Sequence, residues 1–470
     1  MRVLLVASPK TVMGMDRGIR LPNLGLNSIA ANVQNPDVDV RVLDLVLAQK
    51  NPIKKLLSVL GSFNPDVVGF SCMTHQYQDT LKLAASVRAH RPGTVIVLGG
   101  YHPTVDFEKM LNPAERPVVD FIIRNEGETA FSRLLEEIQG KRDFCNIPSL
   151  SHAENGSLIH NPPGALLDLD SLKIPERKNR ILKRGFHIMG SSADAVETSR
   201  GCVNRCKFCC IRQMYGTAFR NFKIDRVIAD IQNVSGQGTR SIMFVDDNMT
   251  VDTGRFERLC REIIGRKLNE IRYTVQGTIS GLKRSPDLPR LMSEAGVDLY
   301  MTGIENAGEG NVHFLDTKPV QYSDTRDVIR ELHGYGISVM GSFIIGNPGD
   351  TRETIVDNFH YANQVDVDFP LFLILTPFPR TEIRDELSRE GLITNADDFS
   401  KYDLFRANVR TRQLSPEELE KIRDEIAFKV LQNGSRFRRL ASKYAAFSMK
   451  LILSQLISQP KEVFGYIRGR

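Results

Sequence analysis

Over the first 140 residues short apolar runs alternate with longer amphipathic stretches. "RVLLVAS", "DVRVLDL", "DVVGFSCMT", "TVIVLGG" and "VDFIIRNEGE" read as buried strands. Between them, "LGLNSIAANVQ", "PIKKLLSVLGSF", "QDTLKLAASVRAH" and "TAFSRLLEEIQG" carry their apolar positions at helical spacing. Continuous apolar strands separated by helices predict an α/β domain, doubly wound and Rossmann-like, over residues 1–140. Ligands of such sheets bind at the carboxyl ends of the strands. Those ends read "SPK", "SCMTH", "GGYHP" and "NEGE".

Residues 141–190 lose the periodicity and gain Pro, Gly, Asn and Ser, which predicts a linker with a short hairpin. A second strand–helix series follows, with strands "DAVETSRG", "SIMFVDDN", "IRYTVQG", "DLYMTGIEN", "SVMGSFIIG" and "LFLILTPF". Six such units predict a partial (β/α)6 TIM-like barrel over 191–390, with its chemistry at the strand C-termini. Residues 391–470 read as a helical C-terminal region.

Length agrees with this division, because 470 residues exceed one ordinary core. The apolar start is too short for a signal peptide, and no run of about 18 apolar residues predicts a membrane span. Seven cysteines, odd in number and unevenly clustered, predict a reducing cytoplasm. The net charge of +6 sits at one end. Residues 436–470 hold eight Lys or Arg against one Glu, a net +7 that leaves the remaining chain near neutral. No nucleic-acid interface is expected from that balance. The stretch "RFRRLASKYAAFSMKLILSQLISQ" suits a basic amphipathic helix on the inner membrane face, giving a peripheral protein. It equally suits a helix packed on the barrel with its cations in water.

The strongest chemical signal is "GCVNRCKFCC". Cys202, Cys206 and Cys209 lie at spacings of four and three on a loop that follows a strand. Thiolates at such density hold iron–sulfur clusters, and three of them leave one iron of a four-iron cluster open. A structural zinc site is the alternative, but zinc calls for a second Cys or His pair that the sequence lacks. Cys210, next to Cys209, is expected to point elsewhere, and Cys72, Cys145 and Cys260 to be buried packing residues.

This cysteine spacing, with Phe208 before the last thiol, resembles the signature of the radical S-adenosylmethionine enzymes. With the preceding doubly wound domain, residues 1–390 resemble the cobalamin-binding subgroup. That subgroup contains methylases of unactivated carbon, the oxygen-independent Mg-protoporphyrin ester cyclase and hopanoid- or other lipid-modifying enzymes. The resemblance implies a [4Fe–4S] cluster on Cys202, Cys206 and Cys209, with S-adenosylmethionine chelated at the open iron. One electron from an external donor such as flavodoxin or ferredoxin would cleave the sulfonium to a 5′-deoxyadenosyl radical. Methylation of a lipid or other small molecule is the implied reaction. Cyclisation or C–C bond formation on a tetrapyrrole or lipid uses the same cofactors.

Two other classes fit less well. Transfer RNA methylthiolation expects further cluster cysteines, and a cobalamin carrier would not need the cysteine loop. By the same resemblance Phe208, Asp246, Asp247, Asn248, Gln276, Glu305 and Gly346 would contact S-adenosylmethionine. Asp246 and Asp247 also suit capping of the next helix, and Glu305 a buried ion pair. Ser71, Thr74, Gly99, Gly100, His102, Glu126 and Gly127 would hold cobalamin. None of the nine histidines has Asp two positions before it, so the Asp-x-His motif of many cobalamin domains is absent. The metal would then sit without a protein imidazole.

Overall fold

A computed structural model describes residues 1–11, 18–111, 118–154, 156–317, 322–431 and 434–444. The first sheet contains β1 (Arg2–Ala7), β2 (Asp39–Asp44), β3 (Val67–Ser71), β4 (Val95–Gly99) and β5 (Phe121–Ile123), all parallel, in the order β2-β1-β3-β4-β5. The hairpin β6 (Leu150–Glu154) and β7 (Ser157–His160) extends this sheet with antiparallel strands. Alternation along β1 divides its side chains between two cores. Leu4 and Val6 face the helices Pro52–Phe63 and Tyr77–His90, while Val3, Leu5 and Ala7 face Leu24–Asn32 and Glu128–Gln139. Register places Ala7 beside Ser71, Ser71 beside Gly99 and Gly99 beside Ile123, so the strands end level and form one rim.

The second sheet runs β8 (His187–Ile188), β9 (Ser191–Val196), β10 (Ser241–Phe244), β11 (Arg272–Gly277), β12 (Val297–Glu305), β13 (Ser338–Ile345) and β14 (Phe369–Ile374). From β9 to β14 each strand pairs in parallel with the next in sequence, the winding of a partial barrel. At its β8 edge, Ile19–Arg20 from the N-terminal part of the chain adds an antiparallel pair. The α/β reading of both halves therefore holds.

Two connections bind the halves together, and a C-terminal helix packs on the barrel. The segment 176–181 laces the first sheet to β9: Ile181 donates to the Val42 carbonyl, and Arg180 bridges Asn27 and Asp194. Phe399 packs on His102, and Lys10 donates to the Ser400 carbonyl. The helix Gly434–Lys443 crosses the strand starts of the barrel, where Arg439 pairs with Asp366 and Asp368 and Lys443 with Asp298. The first part of the basic tail is therefore used in packing. Residues 445–470 of that tail lie outside the described residues. Among the described residues no helix is long and apolar enough to cross a membrane.

One cysteine departs from expectation. Cys72 and Cys260 are buried, but Cys145 is exposed. It lies in a turn after the helix Glu128–Gln139, where Asp143 accepts its backbone N–H.

Asp44, at the end of β2, is buried and accepts N–H bonds from Asn23 and Val46. Burial pushes its carboxyl up to about 6, against those bonds and Arg180. An unfolded Asp titrates near 3.9. The unfolded chain therefore releases this proton first, and stability falls as pH rises from about 4 to about 6. Asp44→Asn removes that slope. Urea unfolding at pH 4 and pH 7 should show the wild type losing about 2 kcal/mol relative to the variant. Parallel pH profiles would refute this.

Candidate functional site

The C-terminal rims of the two sheets face each other across a cavity of about 310 Å³. Its first-domain wall combines apolar Leu24, Ile29, Phe70 and Phe131 with polar Asn23, Ser28, Ser71, Glu126 and Glu128, and includes Gly25, Gly69, Gly99, Gly100 and Gly127. Its barrel wall is Glu197, Arg200, Met214, Tyr215, Val245 and Asp247. Gly100 needs its lack of a side chain: φ is +103°, and a Cβ would approach the Cys72 carbonyl oxygen to 2.8 Å.

The cysteine loop stands beside this cavity. A two-residue ribbon, Ser199–Arg200 with Arg220–Asn221, closes the neck of the excursion that carries it. Asp246 anchors that neck from within the core, accepting bonds from Thr198 N and Oγ1 and from Ser199 Oγ. Its carboxyl is pushed up to about 6 by burial. Asp247 accepts the Gly201 N–H at 2.8 Å and also lines the cavity, and burial holds it near 6 as well. Gly201 has φ +89°, and a Cβ there would collide with the Ala218 carbonyl oxygen.

The donor set suits an iron–sulfur cubane. Cys202, Cys206 and Cys209 are all half-buried on irregular backbone. Among the described residues no three His, Cys, Asp or Glu side chains converge as they would around a single ion. A cubane makes no such demand, since each thiolate takes a different iron. Burial pushes the Cys206 thiol up to about 12 and raises Cys209 further, so a cation is needed to hold them as thiolates. Asn248 Nδ2 lies 3.8 Å from Cys202 Sγ, while its Oδ1 accepts from Thr250 N. Cys210 precedes the helix Ile211–Tyr215.

The other predicted residues divide into three groups. Ser71, Gly99, Gly100, Glu126, Gly127 and Asp247 line the cavity. Asn248 and Glu305 lie near the cysteine loop, and Gln276 lies beside Asp247. Gln276 Nε2 lies 3.4 Å from the Asp247 carbonyl oxygen, and Glu305 is among the charges that raise Cys206. Glu305 lies deep in the protein yet keeps part of its surface open, at φ +69°, and burial pushes it up to about 7. The alternative reading, a buried ion pair, has no partner for Glu305 among the ion pairs of the described residues.

The third group lies outside this space. Thr74 is buried at a turn, and Phe208 packs on the barrel core. Gly346 donates its N–H to Asp350. His102 is fully buried between Tyr77 and Phe399, with ring centroids at 4.4 and 4.6 Å, and burial pushes it down to about 3. It packs as a neutral ring. Among the described residues no histidine lines the cavity, so a corrin there would find no protein imidazole for its metal.

Sequence reasoning missed Tyr101, Tyr215, Glu197 and Arg200. Tyr101 lines the cavity close to Tyr215, Asp247, Cys210 and Cys209, and burial raises its phenol well above the ordinary value. Arg200, beside Gly201 in "SRGC", bonds Glu126 and Glu128 at 2.7 Å each and Glu197 at 3.0 Å. Glu126 also pairs with Arg220 and accepts the Leu167 N–H, so its carboxylate is already occupied.

Comparison with known proteins follows the same division. The B12 binding domain family matches residues 10–135, and the Radical SAM superfamily matches 196–362. An uncharacterized methyltransferase of Pyrococcus horikoshii is 28% identical over 426 residues, with 90% of each chain covered. The hopanoid C-3 methylase of Methylococcus capsulatus is 26% identical, with 87% of this chain aligned to 76% of that one. The fold is also that of the radical S-adenosylmethionine methyltransferase TsrM from Kitasatospora setae, solved with tryptophan substrate and a SAM analog. The TM-score is 0.75 at 18% identity, over 93% of this chain and 90% of that one.

The neck glycine gives a direct test. Gly201→Ala should lower iron content after anaerobic reconstitution to well under half of wild type. Gly238→Ala, at φ +80° with open space around its Cβ, should cost about 1–2 kcal/mol of backbone strain and keep full iron loading. Equal iron in both variants would show that the neck does not shape the loop.

Proposed function

The chain belongs to the radical S-adenosylmethionine enzymes that carry an N-terminal B12-binding domain, and on that footing we propose that it methylates an unactivated carbon of a lipid or other small molecule. Its cofactors are a [4Fe–4S] cluster, S-adenosylmethionine and cobalamin. The observation that carries the reading is the adjacency of the two sites. The glycine-rich rim that suits a corrin and the loop that suits a cluster stand side by side: Asp247 lines the first cavity and holds Gly201 at the neck of the loop, while Cys206 and Cys209 line a neighbouring cavity of about 320 Å³.

Bound there, these groups supply reductive cleavage of S-adenosylmethionine and transfer of a methyl group. The chain supplies position and shielding. Cys202, Cys206 and Cys209 hold the cluster, and Asn248 steadies the Cys202 sulfur. Glu305, near the cysteine loop, and Gln276, beside Asp247, orient the polar end of S-adenosylmethionine. Leu24, Ile29, Phe70 and Phe131 seat the apolar face of the corrin and exclude water. Among the described residues no histidine lines the cavity, so the chain would offer no imidazole to the metal there. The electron comes from an external low-potential donor of flavodoxin or ferredoxin type. A lipid substrate is the reading favoured by similarity to the hopanoid methylase.

Anaerobic reconstitution should give about four irons per chain. The reconstituted protein should retain cobalamin and form 5′-deoxyadenosine with a reductant. Cys202→Ala, Cys206→Ala and Cys209→Ala should each abolish that product, and Cys210→Ala should keep it. Cleavage surviving in the three variants would refute the cluster assignment. Cleavage without cobalamin retention would refute the methylase reading.

A further inference from the structure

Arg200 occupies an unusual place. Its side chain is 6% exposed, yet three carboxylates surround it. Nη1 donates to Glu126 at 2.7 Å and Nη2 to Glu128 at 2.7 Å, while Nε and Nη2 reach the two oxygens of Glu197. Glu126 and Glu128 belong to the "NEGE" rim of the first domain, and Glu126, Gly127 and Glu128 all line its cavity. Ser28, on the helix across that cavity, donates to the same Glu128 oxygen at 2.8 Å. On the other side, Arg200 forms the neck ribbon and is followed directly by Gly201 and Cys202. Gly201 has no room for a side chain and is held by Asp247. The backbone between the guanidinium and the first cysteine is therefore fixed at each residue.

A fork of five N–H donors matches this arrangement and an ammonium does not. Displacing the "NEGE" rim pulls on Arg200, and no flexible residue lies between Arg200 and Cys202 to absorb the movement. The reverse holds when the cysteine loop shifts.

We propose that Arg200 is a positioning residue that couples the two cofactor sites, so that filling the cysteine loop tightens corrin binding in the first-domain cavity and the converse. The coupling rests on the cofactor assignments above and adds to them a linkage between their affinities. Linkage makes it reciprocal, and roughly 5-fold or more is the ordinary size of such an effect.

The test uses the full chain. Hydroxocobalamin is titrated by absorbance into protein with and without its reconstituted cluster. Wild type should bind it roughly 5-fold or more tighter when the cluster is present. Replacing Arg200 alone strands buried carboxylates and endangers folding. The decisive variant is therefore Arg200→Met combined with Glu128→Gln and Glu197→Gln, Glu126 keeping Arg220, with Arg200→Lys as the second. Both should retain iron and cobalamin, but with one cobalamin affinity whether or not the cluster is present. A purely structural arginine would weaken both affinities alike and leave their ratio unchanged, which would overturn the proposal. Wild-type affinity that ignores the cluster would overturn it too, while leaving the proposed function intact. Failure of the wild type to bind cobalamin at all would instead refute that function.

Discussion

Four charged side chains, Arg200, Glu126, Glu128 and Glu197, are packed where the rims of the two sheets meet. Removing such charges from water costs several kcal/mol per ion, which is recovered only when geometry and hydrogen bonds are nearly complete. Ser28, Arg220 and the Leu167 N–H complete them here. A second buried network, in which Arg177 and Arg180 share Asp194 and Arg177 also binds Asp230, joins the intervening segment to the barrel. Neither network tolerates a small rotation of one domain against the other, because a lost partner leaves an unpaired charge in low dielectric. The opposed rims, and the cavity between them, depend on this constraint.

The chemistry sits where the constraint is tightest. Asp246 is buried and holds the neck of the cysteine loop by three bonds from Thr198 and Ser199. Its neighbour Asp247 faces the other way, toward the cavity, and holds Gly201. Two adjacent carboxyls thus serve scaffold and site. Glu305 carries backbone strain at φ +69° and a carboxyl that burial makes easy to protonate, a combination found where the surrounding fold over-determines a residue.

The C-terminal region braces both halves. Phe399 meets His102 edge to face and Lys10 reaches the Ser400 carbonyl, so a segment beyond the barrel closes over the first domain. Helix Gly434–Lys443 places Arg439 and Lys443 on acids at the strand starts, far from the chemical rim. The basicity of that part of the tail neutralises Asp298, Asp366 and Asp368.

Local pattern made much of this legible. Period-two alternation separates the two cores on either side of β1, and helical spacing marks the covering helices, because both depend on neighbours a few residues apart. The cysteine spacing needed nothing beyond one loop. The sequence by itself therefore determined the two α/β halves, the chemical class of the metal site and the cavity-lining glycines of the first rim. Tertiary structure alone decided the rest. Arg200 lies 74 and 72 residues from Glu126 and Glu128 in the chain, and no periodicity relates them. His102, a polar residue at a strand end, reads as a ligand contact until folding places Phe399 against it, and Glu126, which lines the cavity, gains Arg200 and Arg220 as partners only in the fold. A side chain's partner is set by three-dimensional packing, and spacing along the chain constrains only those contacts that the local backbone geometry can reach.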